Sequence, residues 1–206
     1  MRGPDLEMFD KNKNFLAGIY RCTRFLKLNN ISIPDFRDVS GNVLRGGPTD
    51  YGYYRPPFAP FHALESPLKY YQRTRGIVSV NVRKTKLATK VPGFCWSYPG
   101  YKADRTASGV CAHETGHHLQ YILKIRKPIM KGPVITSYEP TCNEAFAETA
   151  RLFITNPDLL RVGRPLRWEY FVKELKLKHL ELVPWRLVLK GAHPRFFEVA
   201  EKWITK

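Results

Sequence analysis

The sequence predicts an α+β fold in which a small mixed sheet packs on a central helix and the C-terminal part is mainly helical. Three observations carry this expectation. Val78, Val80 and Val82 recur at period two in GIVSVNVRK (76–84), the pattern of a half-buried strand. Val110, His113, His117 and Tyr121 recur at helical spacing between Ser108 and about Ile125, and Pro128 follows the end. Beyond Thr141 the chain reads as a succession of helices set off by prolines.

In chain order, residues 1–67 are expected to form a loop-rich, basic and aromatic region packed on a core spanning 68–206, the two making one compact unit. Residues 30–67 in particular (ISIPDFRD, RGGPTDYGYYRPPFAPF) carry so much Pro, Gly and aromatic side chain that irregular structure is expected there. The strand at 76–84 comes next, and a second short strand is expected from Phe94 to Tyr98, before the turn at Pro99 and Gly100. The helix from Ser108 leads through a loop, KPIMKGPVITSYEP, to a second helix at Thr141–Ile154. There Phe146, Ala150 and Phe153 can face a core, and Asn156-Pro157 ends it. Shorter helices are expected at Pro157–Val162, Pro165–Leu175 and Pro194–Thr205.

Composition narrows the function classes. The chain has 206 residues, 43% of them apolar, and no run of 18 apolar residues, so a membrane-spanning helix is not expected. Cys22, Cys95, Cys111 and Cys142 contain no C-x-x-C pair and are too sparse for a disulfide framework, so reduced thiols are expected. The opening MRGPDLEMFDKNKNF mixes charges and lacks the apolar stretch of a secretory signal, which favours action inside a cell or delivery with a particle. Lys and Arg number 34 against 18 Asp and Glu, a formal charge of +16. Such a field attracts nucleic acid, anionic membranes or acidic proteins without naming one, and the dispersed basic residues fit a solvated surface equally well.

The chemistry concentrates at residues 113–117, His-Glu-Thr-Gly-His, an H-E-x-x-H pattern on an expected helix. With 6 His in 206 residues, chance supplies this spacing around a Glu only about 0.01 times, so the match is informative. Four residues are just over one helical turn, so His113 and His117 share a face and can reach one Zn²⁺. Glu114 is offset around the helix, where a carboxylate can act on a metal-activated water as general base without ligating. A catalytic zinc needs a third protein ligand, and Asn143-Glu144-Ala145-Phe146-Ala147-Glu148 provides two carboxylates at i, i+4. One would ligate and the other would orient a histidine through its second ring N–H.

HETGH followed by NEAFAE resembles the gluzincin branch of the zincin metallopeptidases, in which H-E-x-x-H is completed by N-E-x-x-[SA]-[DE]. It is similar to thermolysin-like enzymes and to catalytic domains of the anthrax-lethal-factor type, with related phage and bacterial metallopeptidases. The resemblance covers residues 108–155. It implies a zincin-like fold, one Zn²⁺ per chain, peptide-bond hydrolysis, Glu144 as the third ligand, Glu148 as its supporting acid, and a tyrosine just before the ligand Glu, here Tyr138, at the oxyanion. It also implies a strand at the cleft edge pairing with extended substrate, for which Phe94–Tyr98 and Val78–Arg83 are the candidates.

Other readings compete locally. Thr141-x-x-Glu144 also fits a capping box, which would exchange the roles of Glu144 and Glu148. Cys111, His113, His117 and Cys142 could form a closed structural zinc site, although burial as small apolar residues suits the cysteines better. His118 points about 100° away from His117 and is left outside the site. His179 and His193 read as surface histidines. A basic nucleic-acid-binding or structural protein retaining a non-catalytic zinc site, and hydrolysis of a non-peptide substrate, are the alternative functions.

Overall fold

A computed structural model describes residues 4–41, 51–57, 75–86, 104–126, 130–139, 142–188 and 195–205. It is a mixed α+β arrangement with a three-stranded sheet. The elements are α1 (Pro4–Leu28), β1 (Asp35–Asp38), β2 (Gly52–Arg55), β3 (Ile77–Val80), α2 (Ala107–Ile122), α3 (Cys142–Thr155), α4 (Pro157–Gly163) and α5 (Pro165–Glu169). A single π-helical turn, Tyr170–Glu174, extends α5, and α6 (Trp185–Val188) and α7 (Arg195–Ile204) follow.

The long helix α1 departs from the loop-rich N-terminal region expected of residues 1–67. Its inward stripe of Phe15, Ile19, Cys22, Phe25 and Leu26 repeats at helical spacing and packs into the core, while Leu16 and Tyr20 face out. Asn30 ends it at φ +55, and the Ile31 N–H bonds back to the Leu26 carbonyl, a left-handed C-terminal cap in which Asn replaces the usual Gly. Residues 30–41 and 51–57 are also more regular than their composition suggested. They supply β1 and β2, strands of four residues each, too short for a period to stand out.

β3 lies at the centre of the sheet, parallel to β1 and antiparallel to β2, so both expected regions of the chain contribute to one sheet. Its residues Ile77, Val78, Ser79 and Val80 are all buried, where period two had suggested one wet face. A strand loses that alternation when both faces of its sheet are covered. Phe94–Tyr98 lies outside the described residues.

The central helix α2 packs against α1, α3, β2 and β3, which makes it the most enclosed element. Its start is fixed twice: Thr106 accepts from the Gly109 N–H at 3.0 Å, and Asn14 of α1 accepts from the Ser108 N–H at 2.8 Å. α3 starts and stops within a residue of expectation, and Asn156 then caps α4 through the Leu159 N–H. The C-terminal helices hold the segment 130–139 from behind. Arg164 Nε donates to the Val134 carbonyl and Trp203 Nε1 donates to the Ile135 carbonyl, both at 3.0 Å. Among the described residues no helix is long and apolar enough to cross a membrane.

Candidate metal centre

Two helices and one loop build the site. On α2, His113 and His117 turn toward α3, with ring centroids 5.0 Å apart. Between them sits Gly116, whose missing side chain permits the crossing: a Cβ there would lie 2.8 Å from the Ala147 Cα and 3.0 Å from the Ala150 Cβ. This close approach carries Glu144 of α3 to the histidines. Its Oε2 lies 3.0 Å from His113 Nε2 and 3.7 Å from His117 Nε2. Tetrahedral ligands at Zn distances would be about 3.4 Å apart, so the spacing already matches a coordination shell.

The donors have the arrangement of a candidate ligand set. Glu144 Oε2 is buried with no well-aligned hydrogen bond, its close polar neighbours being the two imidazole nitrogens. A buried acceptor left in that state is costly unless something else binds it. His113, His117 and Glu144 could therefore hold a metal ion.

Behind His113 the support is complete. Glu148 Oε1 accepts from His113 Nδ1 at 2.8 Å and from Arg151 Nε at 3.0 Å, while its Oε2 accepts from Thr136 Oγ1 at 2.9 Å and Arg151 Nη2 at 2.8 Å. With Nδ1 committed as a donor, neutral His113 presents the Nε2 lone pair to the site. Arg151 is fully buried and also faces Asp104, at 3.8 Å. Burial alone would raise the Glu148 carboxyl, but the Arg151 charge and His113 outweigh it and hold Glu148 well below the usual carboxylate range. Burial likewise pushes His113 down, and the carboxylates of Glu144 and Glu148 overcome this and lift it to about 10. For Glu144, burial again acts upward, and the two histidines bring it down to about 2. Without a metal, then, a proton on His113 balances the carboxylates.

On the open side, Glu114 is buried yet lines the same cleft. A Cβ at Gly52 would lie 3.2 Å from Glu114 Oε1 and 2.6 Å from Val110, so the absence of a side chain at Gly52 lets the edge strand β2 approach the helix beside the carboxylate. Tyr138 stands over the site, half exposed, its ring centroid 5.8 Å from that of His113. Glu139 secures its loop by accepting from the Ile135 and Thr136 N–H groups and pairing with buried Arg167 at 2.8 Å.

The structure thus brings together all six residues singled out from sequence. Glu144 Oε2 points to the histidines rather than back to its own helix start, and Thr141 lies outside the described residues. The Cys111 thiol rests 4.0 Å from buried Cys22 of α1, which removes it from a closed zinc site. The Cys142 side chain and His193 lie outside the described residues. His179 is half-buried against Trp168, with centroids 4.9 Å apart, rather than on the surface. The expectation that Val78–Arg83 could pair with substrate fails for β3 because both of its edges are taken; among the described residues β2 is the edge strand beside the cleft.

Several supporting residues escaped the sequence reading. Arg151, three residues after Glu148, was a visible i, i+3 partner. His118 is buried and kept neutral by burial, with Nε2–H donating to the Ser32 carbonyl at 2.7 Å and Nδ1 accepting from the Tyr54 hydroxyl at 2.9 Å. It anchors β2 to α2, and no local pattern announces that role. No known protein family, curated protein or solved structure matches the chain.

Proposed function

We propose that the chain is a zinc-dependent metallopeptidase of the zincin type. The observation that carries this reading is the convergence of His113, His117 and the buried Oε2 of Glu144 beside a second carboxylate, Glu114, in one open cleft. Two imidazoles and one carboxylate are the donor set of a catalytic zinc with an open position, and Glu148 supplies the customary outer partner of a ligating histidine.

When bound, Zn²⁺ would supply Lewis acidity that makes water nucleophilic near neutral pH and polarises a carbonyl. Glu114 accepts the proton of the attacking water and returns it to the leaving amine. The Tyr138 hydroxyl donates to the carbonyl oxygen as it becomes anionic, a hydrogen bond that gains strength in the transition state. β2 presents backbone donors and acceptors along the cleft edge, where an extended peptide can pair.

The test joins elemental metal analysis of wild type, Glu144→Ala and Glu148→Ala to casein cleavage by wild type and Glu114→Gln. One zinc per chain, lost chiefly with Glu144, and cleavage abolished in Glu114→Gln are the expected results. Zinc without any Glu114-dependent cleavage would instead favour a metal-stabilised binding or structural protein.

A further inference from the structure

The cleft has two chemically different ends. The inner end holds the candidate ligands and Glu114. From there both walls run the same way: β2 passes from Gly52, beside Glu114, to Tyr54, beside His118 and Tyr121, and Pro56 continues the wall. α2 runs alongside from Glu114 to Gln120 and Tyr121. At the outer end the cleft is lined by Lys124 and Arg126, both exposed, and no described carboxylate forms an ion pair with either.

The helix end fixes the backbone from which these two cations extend. The Ile125 N–H bonds to the Gln120 carbonyl at 3.0 Å and the Lys124 N–H to the Tyr121 carbonyl at 3.1 Å, the two reversed bonds of a Schellman cap. The Gln120 side chain adds a third bond, to the Ile125 carbonyl. Lys124 takes the left-handed position, at φ +56, where glycine is the usual occupant. Ile125 packs against the core and so anchors the turn between the two charges.

Resting on the peptidase reading, we propose that this outer end selects an acidic side chain in the peptide substrate, about three residues from the scissile bond. The spacing follows from geometry: seven residues from His117 to Lys124 rise about 10 Å along the helix axis, and an extended peptide advances about 3.3 Å per residue. The charge distribution favours a peptide over a nucleic acid. Zn²⁺ would accept a carbonyl or a phosphoryl oxygen alike, but Glu114 and Glu144 beside it offset its two charges, so the inner end has no net positive charge to hold a run of phosphates and suits a neutral backbone. Among the described lining residues the Lys and Arg side chains, Lys124 and Arg126, both lie at the outer end.

The test is binding of a fluorescent peptide to full-length Glu114→Gln with Zn²⁺ at low salt, read by anisotropy. Glu is placed at successive positions and compared with Gln, and wild type is assayed for cleavage of the same peptides. The expected result is a preference of about three- to tenfold for Glu at one position, the size of two exposed ion pairs, fading as salt is added. That preference disappears in Lys124→Glu/Arg126→Glu, weakens in the Gln pair, and survives in Lys27→Glu/Lys202→Glu, which removes the same charge away from the cleft. Equal loss in both Glu pairs would assign the preference to net charge and overturn the proposal. Absence of peptide binding, with an oligothymidylate bound in a Lys124- and Arg126-dependent way, would also overturn it. A position-specific preference in binding without cleavage by wild type would overturn the peptidase reading alone; cleavage without preference would overturn only the selection.

Discussion

The wall formed by α2 and α3 and the loop at 130–139 each hold a buried carboxylate against a buried arginine, yet the two pairs are placed to different ends. In the wall, Glu148 and Arg151 share one helix, and the carboxylate has four donors, one of them the imidazole of His113. In the loop, Glu139 meets Arg167 from 28 residues away and spends its other oxygen on backbone N–H groups. The wall pair orients a candidate ligand; the loop pair orients a stretch of backbone that carries Tyr138. Stability and chemistry should therefore separate between them.

The largest effect is expected from Arg151→Leu. It leaves buried Asp104 without the Arg151 charge and Glu148 with His113 as its remaining cationic partner, and breaking a buried pair in this way costs about 3–5 kcal/mol. Urea unfolding of metal-free protein should show that loss, together with weakened metal binding because His113 loses its fixed partner. A variant as stable as wild type would mean that the wall is held by packing alone.

The second effect is a pH dependence that belongs to the wall. His113 is lifted from 6.5 to about 10 in the metal-free fold, so its contribution is complete below pH 6.5 and is lost as pH rises toward 10. Glu144, brought from 4.5 down to about 2, contributes above pH 4.5 and loses that contribution as pH falls toward 2. These two groups together favour the metal-free fold most between about pH 4.5 and 6.5, while buried His118, whose pKa is lowered, subtracts from this on the acid side as it takes up a proton. Metal binding replaces the His113 proton, so the alkaline decline should be absent from the loaded protein. Thermal unfolding with and without chelator reads this directly, and parallel pH profiles would contradict it.

A smaller loss is expected in the loop. Arg167→Leu strips Glu139 of its cation but leaves two backbone donors on the carboxylate, so about 1–3 kcal/mol is expected. Metal affinity, which depends on the wall, should hold. Turnover should fall as the Tyr138 loop loosens, and a parallel drop in metal content would show that the two regions are not separable.

The same contrast explains what could be read in advance. The ligand pattern was legible because one helical turn places His113 and His117, and another places Glu144 and Glu148, so the chemistry is written locally. The α1 stripe from Phe15 to Leu26 was present as well, but Gly18 and the charged and amide residues before it obscured the period. β1 and β2 are too short to carry a pattern, and they exist because β3 offers both edges. The pairs that hold the loop, Arg167 with Glu139 and Trp203 with the Ile135 carbonyl, join segments far apart in the chain and leave no trace in either segment alone.

The smallest structural effect is expected where the chemical one is large. Tyr138 is 52% exposed, and its neighbours are fixed by Glu139 rather than by its own ring. Removing its hydroxyl in Tyr138→Phe should change stability by no more than about 0.5 kcal/mol, and metal content should match wild type. If the hydroxyl donates to the developing oxyanion, kcat should nevertheless fall by about 10²-fold with KM little changed, because the bond forms mainly in the transition state. Full activity in this variant would remove Tyr138 from the mechanism and leave the loop as a wall of the cleft. A fall in kcat with stability and metal intact would make the least buried member of the site the one whose role is purely chemical.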